Sequence, residues 1–445
     1  MKILFVSLGC DKNLADSEVM LGLLGEKGYT FTDDETEAEI IVINSCCFIN
    51  DAKEESINTI LQMAELKRTG KCKALIVAGC LAQRYREEIR EELPEVDGVI
   101  GTTAYDRIAD VIAKALEGKR AEEFEELNRL PKAGGRRMLT TGGWYGYLKI
   151  AEGCGKNCSY CIIPHIRGSY RSVPMEELID QARDLAAKGV KELILVAQET
   201  TLYGVDLYGE KRLPGLLREL CGIEGIRWIR LLYCYPEEIT KELVETLRDE
   251  RKICHYLDIP IQHVSDQVLR RMGRRTHKQQ LISTIRYLRR EIPDIVLRTT
   301  LIAGFPGETE PEHEELMEFV DEMEFERLGV FVYSPEEGTK AAQMDGQIDE
   351  EVKEGWREEL MELQQEIAFH RAQDMVGRTF EVLIEGKLAD EEAYIGRTYM
   401  DAPNVDGYVF VNTREELMSG DFVRVRITGA LEYDLIGEMD DEFTE

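Results

Sequence analysis

Three apolar runs in the first hundred residues each end in cysteine, and this pattern restricts the fold more than any other feature of the chain. They are Ile3-Leu4-Phe5-Val6-Ser7-Leu8-Gly9-Cys10, Ile40-Ile41-Val42-Ile43-Asn44-Ser45-Cys46-Cys47 and Ala74-Leu75-Ile76-Val77-Ala78-Gly79-Cys80. Continuous β-branched runs of this length read as strands buried on both faces, as in parallel sheets. Helical segments such as Ser17–Lys27 and Ala52–Lys67 separate them. The order is βαβα, which predicts an α/β, doubly wound parallel sheet over residues 1–118. In such sheets the carboxyl ends of the strands gather at one edge, where ligands bind, so the three thiols are expected to meet there. One cysteine at a strand end is an ordinary small buried hydrophobe. Three in the same structural position point to a metal cluster.

Residues 119–143 are charged and then glycine-rich (Gly134-Gly135, Gly142-Gly143), which reads as a linker. A second alternation begins at Trp144, with strands expected at Gly146–Ala151, Leu193–Ala197, Trp228–Tyr233, Tyr256–Ile261, Val296–Ala303 and Leu328–Tyr333. Six strands are too few for an eight-stranded barrel, so residues 144–374 are expected to form an open, partial (β/α)6 TIM-type barrel. A long charged amphipathic helix over about 345–375 closes this region. From 375 to 445 short strands replace helices, and a small antiparallel β-barrel is expected.

A second cysteine set lies just after the first strand of the central region, in Ala151-Glu152-Gly153-Cys154-Gly155-Lys156-Asn157-Cys158-Ser159-Tyr160-Cys161. Ordinary iron–sulfur clusters take four thiolates. Three tightly spaced thiolates can hold three irons of a cubane and leave the fourth open for a substrate or cofactor. Zinc sites usually show two separated Cys-x-x-Cys or Cys/His pairs, which a lone three-cysteine loop does not match. A disulfide framework does not suit a chain of 445 residues with 11 cysteines and no export signal.

No run approaches the roughly 18 apolar residues of a membrane span. The start, Met1 to Cys10, faintly resembles a lipoprotein signal, but its apolar stretch is short and Asp11-Lys12-Asn13 follows at once. A cytoplasmic protein is expected, where thiols stay reduced. The net charge of −31 repels polyanions and makes nucleic acid a poor default partner, a basic protein a better one. Solubility alone explains such a charge equally well.

The triad with an aromatic before its last cysteine resembles the radical S-adenosylmethionine (SAM) superfamily. The whole chain resembles its methylthiotransferase family. The resemblance is carried by Leu8-Gly9-Cys10-Asp11-Lys12-Asn13, Asp16-Ser17-Glu18, Asn44-Ser45-Cys46, Gly79-Cys80-Leu81-Ala82-Gln83-Arg84-Tyr85, the central triad and Gly304-Phe305-Pro306-Gly307-Glu308-Thr309, with a tail like a TRAM domain. Asp11-Lys12-Asn13, Phe48 to Ser56, Tyr233 to Ile239 and Tyr256 to His263 are similar to the members that methylthiolate an aspartate of ribosomal protein S-twelve, rather than those that modify tRNA adenosine. Residues 375–445 hold 6 basic and 17 acidic residues. An acidic barrel repels phosphate and attracts a basic ribosomal protein.

The resemblance implies two 4Fe-4S clusters, one on Cys154, Cys158 and Cys161 that binds SAM, the other on Cys10, Cys46 and Cys80 that carries sulfur. Cys47 stands where the family usually has another residue, which leaves Cys46 and Cys47 as alternatives; the family pattern favours Cys46. The implied reaction uses two SAM. One yields a 5′-deoxyadenosyl radical that takes hydrogen from the aspartate β-carbon, and the other methylates the sulfur. A sulfur donor and a one-electron reductant are implied partners, and a monomer is the simpler state. Tyr160 is expected near the adenine. Gly304 and Gly307 lack a Cβ and allow close approach of backbone to SAM, or form a plain loop. Gln198, Gln262 and Arg298 sit near strand ends and are candidates for the ribose or carboxylate, or for structural roles. His255 and His263 are expected to be structural, as are Cys72, Cys221, Cys234 and Cys254, and Arg167–Ser172 is a candidate loop near SAM or substrate. The alternatives are a tRNA methylthiotransferase and a non-catalytic iron–sulfur or zinc protein of the ribosome.

Overall fold

The computed structural model describes residues 1–131, 137–389 and 391–440. The Gly134-Gly135 pair lies outside the described residues. Strands β1 (Lys2–Ser7), β2 (Thr30–Phe31), β3 (Ile40–Ser45), β4 (Ala74–Gly79), β5 (Gly98–Ile100) and β6 (Ala121–Glu123) form a parallel sheet in the order β2-β1-β3-β4-β5-β6. β3 and β4 are buried along their whole length, which is why their sequences are unbroken apolar runs. Helices α1 (Asp11–Glu26) and α5 (Ile108–Leu116) cover one face through Met20, Leu24, Ile108 and Val111. Helices α2 (Asn50–Thr69), α3 (Cys80–Arg84) and α4 (Arg86–Glu92) cover the other, through residues such as Ile60, Leu81 and Ile89. The chain order reverses between β1 and β3, the position where doubly wound sheets bind ligands. β6 falls inside the segment expected to be linker. It is a three-residue acidic edge strand with no β-branched run to announce it.

The central strands are β7 (Tyr145–Lys149), β10 (Glu192–Val196), β11 (Trp228–Leu231), β12 (Ile253–Asp258), β13 (Val296–Ala303) and β14 (Arg327–Val332), with a separate two-stranded pair of β8 (Ala151–Glu152) and β9 (Arg171–Ser172) between β7 and β10. The six are parallel and in sequence order, an open partial barrel. β12 begins at Ile253 and stops at Asp258, short of the expected Ile261, because Pro260 has no N–H to continue the ladder. Leu148, Leu193, Leu195, Ile229, Leu231 and Leu257 face the helical layer.

The tail forms a closed five-stranded barrel of β15 (Thr379–Lys387), β16 (Ala393–Arg397), β17 (Val409–Asn412), β18 (Phe422–Ala430) and β19 (Leu435–Met439). The expectation of a wholly antiparallel barrel needs one correction: β17 and β19 pair in parallel. Five strands in a ring cannot alternate direction all the way round. The barrel packs on the other face of the central sheet, where Tyr145, Tyr147, Ile194, Trp228 and Tyr256 share one apolar cluster with Val382, Val409 and Val425. This is why the open sheet needs no further strands. Glu192 sits fully buried at the junction, accepting from Arg230 and Arg397 at 2.7 Å each. Burial raises its pKa, but the two guanidiniums outweigh burial and hold it below the usual range.

Removing one partner of a buried ion network strands the others. Glu192→Gln is therefore expected to lower the unfolding free energy by about 3–5 kcal/mol, measured by chemical denaturation at neutral pH. A depressed carboxylate lends stability above its unfolded pKa and loses it as pH falls towards the folded value. The gap between wild type and variant should narrow as the solution is acidified.

Candidate functional site

The three amino-terminal cysteines follow β1, β3 and β4, which are adjacent in the sheet. Side-chain amides tie these strand ends together. Asn13 donates to the carbonyls of Leu8 and Ser45 at 3.0 Å each, and Asn44 donates to Asn13 O and Ser17 Oγ at 2.9 Å. Gly9 and Gly79 both have positive φ, and each is crowded: a Cβ on Gly9 would lie 2.8 Å from Cys46 Sγ, and one on Gly79 2.3 Å from Asn44 Oδ1. Only glycine lets the chain turn into Cys10 and Cys80 this close to the neighbouring strand. Cys46 and Cys80 are buried and Cys10 is exposed. Burial, with Cys80 and Cys10 beside it, pushes the Cys46 thiol to about 12. Cys47 lies in the apolar cluster under α2, with Ile60 and Met63, and its carbonyl accepts from Arg84.

The central triad is held by backbone. Cys154 N–H donates to Gly168 O at 3.1 Å and Cys161 N–H to Cys158 O at 3.1 Å. Between them Ser159 donates its N–H to Met272 O and its hydroxyl to Arg271 O, both at 2.8 Å. Burial raises the Cys154 thiol to about 11 and Cys161 to about 12. Lys156, inside the loop, is held by Glu237 and Glu238 at 3.1 and 2.7 Å. Glu199 lies 3.8 Å from Lys156, and burial raises its carboxyl to about 7 against that ammonium.

The two sets are joined through α6 (Ile163–Arg167), whose last residue crosses the domain seam. Arg167 is 2% exposed. Its guanidinium donates to Asp16 Oδ2 at 2.7 Å, Glu152 Oε2 at 3.1 Å, Cys80 Sγ at 3.5 Å and to Asn13 Oδ1. Lys149 completes the network, donating to Asp16 and to Glu152 at 2.8 Å. Burial opposes ionisation of Glu152, yet Lys149 and Arg167 hold its pKa well below the usual carboxylate range. Burial raises the Cys80 thiol, and the Arg167 guanidinium opposes that rise. The loop holding Arg167 stood out in the sequence. Glu152 and Lys149 did not, although a lone glutamate at an apolar strand end, two residues before Cys154, is the signal that marks it.

The expected SAM residues divide into groups. Tyr160 stands edge-on to Phe305, ring centroids 6.4 Å apart, so the triad loop and the Gly304–Thr309 turn meet. At Gly304 and Gly307 the missing Cβ leaves room for Lys353 and for Arg271, at 2.0 and 2.1 Å from the position it would take. Buried His263 bonds Glu308 at 3.1 Å and accepts from Ser265 N–H at 3.0 Å; Glu308 accepts from Phe305 N–H at 2.9 Å and braces the turn. Gln198 donates to Glu152 Oε1 at 3.0 Å, beside the Arg167 network. Gln262 has a φ of 72° and pairs by backbone with β13. Arg298 is engaged by Asp258 at 2.9 Å and by Asp406 of the tail barrel at 3.4 Å.

Three family models match the chain in order: the uncharacterized protein family UPF0004 over residues 2–101, the radical SAM superfamily over 148–320 and the TRAM domain over 376–439. Ribosomal protein uS12 methylthiotransferase RimO of Lachnoclostridium phytofermentans is 64% identical over 437 residues, 98% of this chain and 99% of that protein. The chain belongs to the RimO family. The Thermoanaerobacter sp. member is 52% identical over 97% of this chain and 98% of its own length, and a Clostridium botulinum member 49% over 100% and 99%. Among solved structures, the radical SAM methyltransferase TsrM of Kitasatospora setae, with cobalamin and a [4Fe-4S] cluster, aligns with a TM-score of 0.55 at 14% identity, covering 85% of this chain and 80% of its own; this likeness is one of fold. The chain is a radical SAM enzyme, and its cofactors are SAM and 4Fe-4S clusters. The non-catalytic alternative is set aside.

Arg167→Met leaves Asp16 and Glu152 to share Lys149 alone. It is expected to cost about 3–5 kcal/mol of unfolding free energy in metal-free protein, as for one lost partner of a buried network. Denaturation curves check this; a loss under about 1 kcal/mol would mean that the network does not carry the seam.

Proposed function

We propose that this chain inserts a methylthio group at the β-carbon of an aspartate of ribosomal protein uS12, with Cys154, Cys158 and Cys161 holding the SAM-binding cluster and Cys10, Cys46 and Cys80 the sulfur-carrying one. The observation that carries this reading is the Arg167 bridge, which links Cys80 to the Glu152 that precedes the central triad. Two three-thiol sets thereby face one seam. The donor sets fit iron–sulfur clusters. Each set consists of three free thiols, the ligand type that holds an iron–sulfur cluster. Cys46 is favoured over Cys47 because it lies against Gly9, next to Cys10, and its thiol is influenced by both Cys80 and Cys10.

When bound, these groups supply what no side chain can, a radical strong enough to take hydrogen from an unactivated carbon and a methylated sulfur to replace it. The chain's own residues do the rest. Arg167 favours the charged form of Cys80, Tyr160 and Phe305 form an apolar wall by the central triad, and burial of Cys46, Cys80, Cys154 and Cys158 limits water there. Gln198 and Gln262 are proposed SAM contacts; Arg298 is proposed to brace the chamber floor through Asp258 and Asp406. A sulfur donor and a one-electron reductant complete the reaction, and the cytoplasm, where uS12 is made, is its place. Among the described residues no helix is long and apolar enough to cross a membrane. The acidic tail and the uS12 enzymes at 64, 52 and 49% identity favour a protein substrate over tRNA.

Anaerobically reconstituted protein should hold about eight irons and eight sulfides. Alanine at Cys10, Cys46 or Cys80 should lower this to about four and abolish methylthiolated uS12 while 5′-deoxyadenosine still forms. Alanine at Cys154, Cys158 or Cys161 should abolish both products, and Cys47→Ala neither. Mass spectrometry showing methylthiolated tRNA beside unmodified uS12 would overturn the substrate assignment.

A further inference from the structure

Three lysines near the thiol sets are buried or nearly so, and they differ in how their charge is met. Lys149 has two carboxylates, Asp16 and Glu152. Lys156 has Glu237 and Glu238, with Glu199 at 3.8 Å. Lys12 has one, Asp11 at 3.2 Å, although its side chain is only 10% exposed. That carboxylate is shared, because Tyr233 also donates its hydroxyl to Asp11 Oδ1 at 3.0 Å. The rest of the Lys12 ammonium lies over the Tyr233 ring, 3.3 Å from the centroid. An ammonium has three donors, and the other two lysines show that this seam lets one ammonium serve two carboxylates. Lys12, with a single carboxylate partner, has donor capacity for a second anion.

Its position is set from both domains. Lys12 lies in the first turn of α1, two residues after Cys10, the exposed member of its set. Tyr233 follows the carboxyl end of β11 in the central sheet, with a φ of 59°, uncommon for a residue with a side chain. Its N–H donates to Asp258 Oδ2 at 3.0 Å and its carbonyl accepts from Thr200 N–H at 3.0 Å. Asp258 is in turn held by Arg298. Strained backbone over-determined in this way marks functional positions.

We propose that Lys12 holds the carboxylate of the substrate aspartate, an inference that rests on the function proposed above. In aspartate the carboxylate is bonded to the carbon that gains the methylthio group. A cation two residues from Cys10 therefore fixes the reacting carbon beside the sulfur-carrying set. A charge-assisted contact in a buried seam also selects aspartate over asparagine, whose neutral amide leaves the ammonium without its second anion.

The test compares wild type, Lys12→Met and Lys12→Arg, each reconstituted with iron and sulfide, on uS12 and on uS12 whose target aspartate is replaced by asparagine. Methylthiolation is read by mass spectrometry, SAM affinity by equilibrium dialysis and iron by assay. Wild type is expected to prefer the aspartate substrate. Lys12→Met should lose on the order of 100-fold in kcat/KM on it, chiefly through KM, and lose the preference. Lys12→Arg should restore part of it, with SAM affinity and iron content unchanged in both variants. A Lys12→Met enzyme that keeps the aspartate preference overturns the proposal, as does a matching loss of SAM affinity or iron, which would place the ammonium at the cofactor. Wild type inert on uS12 refutes the parent function and this inference with it.

Discussion

One guanidinium fixes how the two halves of the site meet. Arg167 reaches from the loop behind the central triad to Asp16 of α1, Glu152 of β8, Asn13 and the Cys80 thiol. Burying four charges in a seam carries a large desolvation cost, offset only when each has its partners in good geometry. Two cations, Arg167 and Lys149, face two anions, Asp16 and Glu152, and Gln198 takes one remaining carboxylate oxygen. Such a network tolerates little sliding. It therefore sets the register between the carboxyl edges of two separate sheets, a register that apolar contacts alone would leave loose.

The same physics seats the tail barrel. Glu192, Arg230 and Arg397 are fully buried where barrel and open sheet meet. Arg327 pairs with Asp401, and Tyr256 donates to Asp406 at 2.7 Å. The segment 398–406 thus covers the face that a closed barrel would have protected with its own strands. Through Asp406, Arg298, Asp258 and Tyr233 the tail is also connected to the first turn of α1. The acidic tail domain is in this way tied to the helix that follows Cys10.

Much of this was legible in the chain. β3 and β4 announce themselves because strands buried on both faces must be apolar throughout. Both thiol sets are legible because local spacing or a repeated strand-end position brings the cysteines together. β6 was not, being three residues long and acidic, and the end of β12 was misplaced beyond Pro260. Glu152, Lys149 and Asp258 drew no attention, since a charged residue gains a role only from what the fold sets opposite it. Arg298 shows the converse: its place near a strand end was legible, but its two aspartate partners, one from a domain more than a hundred residues away, were not.

The sequence by itself determined the three-part architecture, the two cysteine sets and the chemistry they are built for, because hydrophobic period, glycine turns and ligand spacing are local properties. Tertiary structure decided that Arg167 links Cys80 to Glu152, that Cys46 and Cys47 have different surroundings, and that Lys12 lies on Tyr233 beside Cys10. Those facts depend on contacts between residues far apart in the chain, and no local pattern encodes which buried charge will meet which.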